Sequence, residues 1–226
     1  MNRWQAIVFD LDDTLYPESE FVLSGFRAVA EWAEKHLGIE RDNGYNYLRK
    51  LYEDGVRGDT FNRWLIAHGR LDATLLAQLV KVYRQHTPRL MPFTDALMLL
   101  QRLHGRFRLG LLSDGYLDVQ RGKLAALNLA HYFDAIVFSD EWGRQAWKPS
   151  VIPFQVVLHR LELPPASVIY VADNPLKDFL GARQVGMFTV RIQRPGGEYA
   201  HLEPPTQQHA PDETIHNLTE LEKLLP

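Results

Sequence analysis

The sequence predicts an α/β fold: a doubly wound parallel sheet with an all-helical domain inserted after its first strand. Three observations carry that expectation. Residues 7–11 are a short apolar run ending among acids, residues 42–85 keep a helical period without strand-like alternation, and from residue 94 onward strand-like and helix-like runs alternate.

Taken in order, Ile7, Val8, Phe9 and Leu11 read as a strand buried in a sheet, with Asp10, Asp12, Asp13 and Thr14 at its C-terminal end. Ligands of open α/β sheets bind at that end of the strands. Tyr16-Pro17 breaks regular structure. Ser19 is the expected N-cap of a helix whose Val22, Phe26, Val29, Ala33 and Leu37 share one face and which Gly38 ends. From Asp42 to Gln85 the pattern stays helical. A helical block of about 70 residues is too long for a simple crossover between parallel strands, so it is expected to pack as its own bundle. Thr87-Pro88 and Met91-Pro92-Phe93 mark the return, and with Tyr16-Pro17 they form two linkers, a candidate hinge. The expected domains are residues 1–16 with 88–226, and residues 17–87.

Beyond the second linker the expected elements are a helix over 94–104, a strand over 107–113, a helix over 117–127, a strand over 135–138 and a helix over 151–161. A strand over 168–172, a helix over 175–185 and a strand over 188–192 follow. Residues 194–211, rich in Pro, Gly, Gln and His, read as a surface loop. Residues 214–216 read as a short edge strand and 218–225 as a closing helix.

Composition bounds the partners. At 226 residues and 46% apolar content the chain has room for one domain with an insertion. A net charge of -3 with scattered Lys and Arg leaves no electrostatic footprint for a nucleic-acid polymer. No apolar run approaches the roughly 18 residues of a membrane span, and the N-terminus enters the first strand without a signal-peptide layout, so no membrane partner and a cytoplasmic location are expected. The absence of cysteine excludes disulfides, thiol catalysis and thiolate metal sites, and the nine histidines lack the short spacings of a zinc site.

The chemistry-bearing residues fall at successive strand ends. Clustered acids such as Asp10, Asp12 and Asp13 repel one another unless a cation compensates, and oxygen-only ligands favour a hard ion such as Mg²⁺. The strand over 107–113 ends in Ser113-Asp114-Gly115, where a hydroxyl and free backbone N–H groups can hold phosphate oxygens. Lys148-Pro149 follows the next strand. Residues 168–178 form another strand that runs into Asp173, with Asp178 five residues later.

As a set these residues resemble the haloacid dehalogenase-like (HAD) superfamily of phosphohydrolases. D-x-D-x-T after an apolar strand is similar to its first motif, Ser113 to its second, Lys148 to its third, and Asp173 with Asp178 to its fourth. Ala172 departs from the Gly common before the first acid of that last motif. The resemblance implies a Rossmann-like core with an inserted helical cap that sets specificity. It further implies a Mg²⁺-dependent phosphatase of small phosphorylated metabolites, sugar phosphates or nucleoside monophosphates. In that scheme Asp10 is the nucleophile and Asp12 the general acid and base. Ser113, Asp114 and Lys148 bind the phosphoryl oxygens, and Thr14 supports the loop. Asp10, the Asp12 carbonyl, Asp173 and Asp178 hold the metal. The second acid of D-x-D favours phosphoryl transfer over dehalogenation. A phosphomutase resembling β-phosphoglucomutase shares all four motifs and stays open as an alternative. A phospho-acceptor signalling domain fits the long helical insertion poorly, and Gly110 to Gly115 is one residue too long for the G-x-S-x-G of a serine hydrolase.

Overall fold

The computed structural model describes residues 3–225. Six parallel strands form one sheet in the order β3-β2-β1-β4-β5-β6, with β1 (Ala6–Phe9) and β4 (Val168–Ala172) in the middle. The others are β2 (Arg108–Ser113), β3 (Ala135–Phe138), β5 (Phe188–Ile192) and β6 (Glu213–Ile215). Every residue of β1 is fully buried, as expected of a strand covered on both faces. Ala6 and Val8 join Val168, Tyr170, Phe154, Val157 and Phe179 in one core cluster; Ile7 and Phe9, alternating with them, point to the opposite face. The first face is covered by α7 (Ile152–Leu161) and α8 (Asp178–Val185).

Register places the functional residues on one sheet edge. Phe9 pairs with Leu111 on one side and Val171 on the other, so Asp10, Ser113 and Asp173 all stand at or just past the C-terminal ends of three adjacent strands. Helices α5 (Thr94–Leu103) and α6 (Leu117–Leu127) flank β2 in the chain.

The chain divides into two compact units, residues 1–18 with 91–226 and residues 19–90. The second unit is all helical: most of α1 (Glu18–Leu37), then α2 (Arg41–Glu53), α3 (Thr60–Ala67) and α4 (Ala73–Gln85). Its core is Phe26, Val29, Ala33, Leu48, Trp64, Leu65 and Leu79, and the indole of Trp64 donates to the Gly44 carbonyl at 2.9 Å.

Several boundaries differ from the sequence pattern. Helix α1 starts at Glu18, so Ser19 lies inside its first turn and is not its cap. Residues 175–177 remain in the loop because the Asp178 and Asn174 groups bond each other across it, and α8 begins at Asp178. The edge strand is 213–215, set by pairing of Ile215 with Ile192. The closing helix is a 3₁₀ run over 218–224, opened by a reciprocal Asn217–Glu220 cap.

Candidate active site

The loop after β1 is a tight turn. Asp13 adopts a left-handed backbone, φ 51°, and its Oδ1 accepts the Glu18 amide at 2.9 Å. That turn holds Asp10 and Asp12 in different surroundings. Asp10 is 5% exposed, and Lys148 Nζ lies 2.6 Å from its Oδ1. The same ammonium meets Asp178 Oδ1 at 2.7 Å and the Tyr170 hydroxyl at 3.0 Å. Burial pushes the Asp10 carboxyl up to about 7 despite the Lys148 charge, and Asp178 adds to the rise. Lys148 titrates well above the lysine range, because Asp10 and Asp178 outweigh the desolvation of its ammonium.

Asp10, Asp173 and Asp178, all buried, place a carboxylate oxygen each within 4.8 Å of the others. Burial, with Asp178 and Asp10 beside it, holds Asp173 well above the usual carboxylate range. Three acids so placed, with oxygen donors only, suit a hard divalent cation. The structure thus brings together three of the four residues expected to hold a metal.

The fourth, Asp12, is expected to act through its backbone carbonyl, and its side chain is engaged elsewhere. Its Oδ1 accepts the Tyr16 hydroxyl at 2.5 Å and Lys123 Nζ at 2.7 Å, and its Oδ2 takes a longer contact from Gln120 Nε2 at 3.3 Å. Burial alone would raise this carboxyl, but Lys123 and the Tyr16 bond overcome it and hold it below the usual range.

The remaining expected residues divide. The Ser113 hydroxyl donates to Gln120 Oε1 at 3.0 Å. Asp114 lines the cleft, and its carboxylate is engaged by the scaffold: Ser139 Oγ donates to it at 2.6 Å and the Lys148 amide at 3.1 Å, while Lys177 Nζ lies 3.5 Å away. Two carboxylate oxygens so engaged leave only the Asp114 backbone N–H to face an anion. Thr14 is fully buried and its hydroxyl has no hydrogen-bond partner among the described residues; it is the Thr14 carbonyl that is anchored, by Arg194 at 3.0 Å. Trp147 packs edge-on against Tyr116 and donates to Asp140 at 2.9 Å, a structural role.

A cleft of about 190 Å³ opens over these groups. Asp10, Asp12 and Asp173 line it, and so do Glu18, Gln120, Lys177 and Tyr199, none of which the motifs single out. Tyr199 belongs to the stretch read from composition as a plain surface loop. Gln120 and Lys123 carried a legible signal: with Leu124 and Leu127 they fall at i, i+3, i+4 and i+7 of α6, polar residues on a buried stripe.

A buried lysine bridging two carboxylates, at the strand ends of a doubly wound sheet and beside an oxygen-donor cluster, is an arrangement suited to handling anionic groups. The chain belongs to the haloacid dehalogenase-like hydrolases, whose family model matches residues 7–192, and it is a phosphatase among them. It is 31% identical over 225 residues to the glyceraldehyde 3-phosphate phosphatase of Methanocaldococcus jannaschii, covering 96% of this chain and 95% of that one. It is 25% identical to the pyrimidine 5'-nucleotidase YjjG of Escherichia coli, covering 99% and 98% of the two chains. Among solved structures, the HAD-hydrolase YfnB of Bacillus subtilis matches 99% of each chain with a TM-score of 0.72 at 20% identity, a likeness of fold. No helix among the described residues is long and apolar enough to cross a membrane.

Proposed function

We propose that this chain is a Mg²⁺-dependent phosphomonoester hydrolase that works through an aspartyl-phosphate on Asp10. The observation that carries the reading is the contact of Lys148 with Asp10 beside the Asp10, Asp173 and Asp178 cluster. Asp10 Oδ attacks phosphorus as the bond to the ester oxygen breaks, and Asp12, which takes up a proton when the bound anionic ester offsets the charge of Lys123, gives that oxygen the proton, releasing an alcohol. Water then attacks the phosphorus, its proton passes to Asp12, and the bond to Asp10 breaks to release phosphate. Lys148 and the backbone N–H groups after Ser113 stabilise charge on the transferring oxygens. Asp10, Asp173, Asp178 and the Asp12 carbonyl would hold Mg²⁺, which would supply screening of the repulsion between the carboxylate and an anionic ester.

The relatives named above act on glyceraldehyde 3-phosphate and on pyrimidine nucleotides, which supports a small sugar phosphate or nucleoside monophosphate as substrate. We assign selection among such substrates to the helical unit, in the role of a cap. Phosphate release from a panel of sugar phosphates, glyceraldehyde 3-phosphate, nucleoside monophosphates and p-nitrophenyl phosphate, each with Mg²⁺, tests the reading. The expected result is turnover of p-nitrophenyl phosphate and of at least one metabolite, lost in EDTA. No turnover of any ester, or conversion of a hexose 1-phosphate to its isomer without phosphate release, would overturn it.

A further inference from the structure

We propose that Lys123 is a positioning residue for Asp12: from α6 it fixes one carboxylate oxygen and leaves the other as the atom that moves the proton. The inference rests on the reading of Asp12 as proton carrier. Lys123 is 3% exposed at its side chain, an expensive place for an ammonium unless a counter-charge meets it. It lies 2.7 Å from Asp12 Oδ1, and Glu18 Oε1 is farther, at 3.4 Å.

The asymmetry of the contacts makes the case. Among the described residues, Oδ1 takes both short bonds, from Lys123 and from Tyr16, whereas Oδ2 takes only the longer contact from Gln120. The Gln120 amide is itself oriented by the Ser113 hydroxyl on its oxygen, so its nitrogen is the end that faces Asp12. One carboxylate oxygen is therefore clamped, and its neighbour, more loosely held by Gln120 on a side chain that lines the cleft, is the one left to exchange a proton with a leaving oxygen or a water. A carboxylate pinned through one oxygen keeps its reacting oxygen within the narrow range of positions that efficient proton transfer requires. Burial by itself does not call for a lysine there, since Leu124 and Leu127 continue the same buried stripe with apolar side chains.

The test is a double-mutant cycle between Lys123 and Asp12, read with two esters. Methionine fills the volume of the lysine without its charge, so Lys123→Met is compared with wild type on an alkyl phosphate and on p-nitrophenyl phosphate, whose leaving group needs no proton. The expected loss in kcat is on the order of tenfold or more greater for the alkyl ester. A burst of p-nitrophenolate followed by a slower steady rate should accompany it, because the second step also uses Asp12. In an Asp12→Ala background the same replacement should change either rate by less than about threefold, because the carboxylate it positions is gone. Tyr16→Phe, which removes the second Oδ1 contact without burying a charge, should show the same pattern and serves if Lys123→Met fails to fold. Equal slowing of both esters by either variant, undiminished in the Asp12→Ala background, would overturn the inference and leave Lys123 a structural ion pair. If Asp12→Ala alone shows no preference between the esters and no burst, it is the underlying role of Asp12 that fails.

Discussion

Lys148 Nζ and Asp10 Oδ1 lie 2.6 Å apart although 138 residues of chain separate them. The pair is buried, and Asp178 completes it from a third segment. An ammonium shared between two carboxylates can do two things. It compensates negative charge at the buried acids, and in the proposed reaction it would supply a cation aimed at the reacting atoms.

Replacing that ammonium should therefore be expensive even before catalysis is measured. Lys148→Met leaves Asp10 and Asp178 buried without their partner, and breaking a buried pair in this way costs about 3–5 kcal/mol. Urea unfolding in EDTA should show the loss, and added Mg²⁺ should restore part of it. A loss below about 1 kcal/mol would mean that water or protonation already relieves the two acids.

Asp10→Asn keeps the shape of the side chain and removes its nucleophilic oxygen. The expected result is a fall in kcat for p-nitrophenyl phosphate of about 10³-fold or more, with an unchanged circular dichroism spectrum. Activity within about tenfold of wild type would place the nucleophile elsewhere.

Metal binding should register in stability as well as in rate. If Mg²⁺ occupies the cluster of Asp10, Asp173 and Asp178, it binds only the folded chain and raises unfolding free energy by about 2.7 kcal/mol at 100 times its Kd. Differential scanning fluorimetry should show the melting temperature climbing with Mg²⁺, and Asp173→Asn should weaken that climb. A melting temperature indifferent to Mg²⁺ in the wild-type protein would remove the metal from the proposed chemistry.

Gly181 ties two parts of the site together by its lack of a side chain. A Cβ there would stand 2.5 Å from the Pro149 carbonyl, 2.7 Å from the Phe154 ring and 2.9 Å from the Ser150 carbonyl. Gly181→Ala should push α8 from the loop that carries Lys148, at a cost of about 1–3 kcal/mol. Because Asp178 opens α8, Mg²⁺ affinity should fall too, which isothermal titration can read. An alanine variant as stable and as tight for metal as wild type would show that the loop has slack.

The strand ends were legible in the sequence because each acid follows a buried apolar run, and the parallel register then brings Asp10 and Asp173 to one edge without further information. Helix α6 was legible as a helix, yet the purpose of Gln120 and Lys123 was not. A polar residue on a buried stripe reveals only that some partner exists, and here the partner is Asp12, more than a hundred residues earlier in the chain. The partners of the Asp114 carboxylate were hidden for a related reason: Ser139 and Lys148 come from another strand end, and only the fold shows that they engage it. Tyr199 sits in a stretch with neither period nor motif, so its place on the cleft wall follows from packing alone. The acids at the edge and the lysine between them were readable through resemblance, while the groups that orient them were not.

The position of β1 at the middle of the sheet has a consequence for synthesis. Its four residues leave the ribosome more than 150 residues before those of β4, so its pairing with β4 waits for residues 168–172. Until then a strand buried on both faces in the finished protein has at most β2 beside it, and its other edge offers bare backbone N–H and C=O groups to any passing chain. A nascent or truncated chain ending before residue 168 therefore carries an open, wholly apolar pairing edge. Such fragments should aggregate or call on chaperones, whereas chains extending past Ala172 can close that edge on themselves.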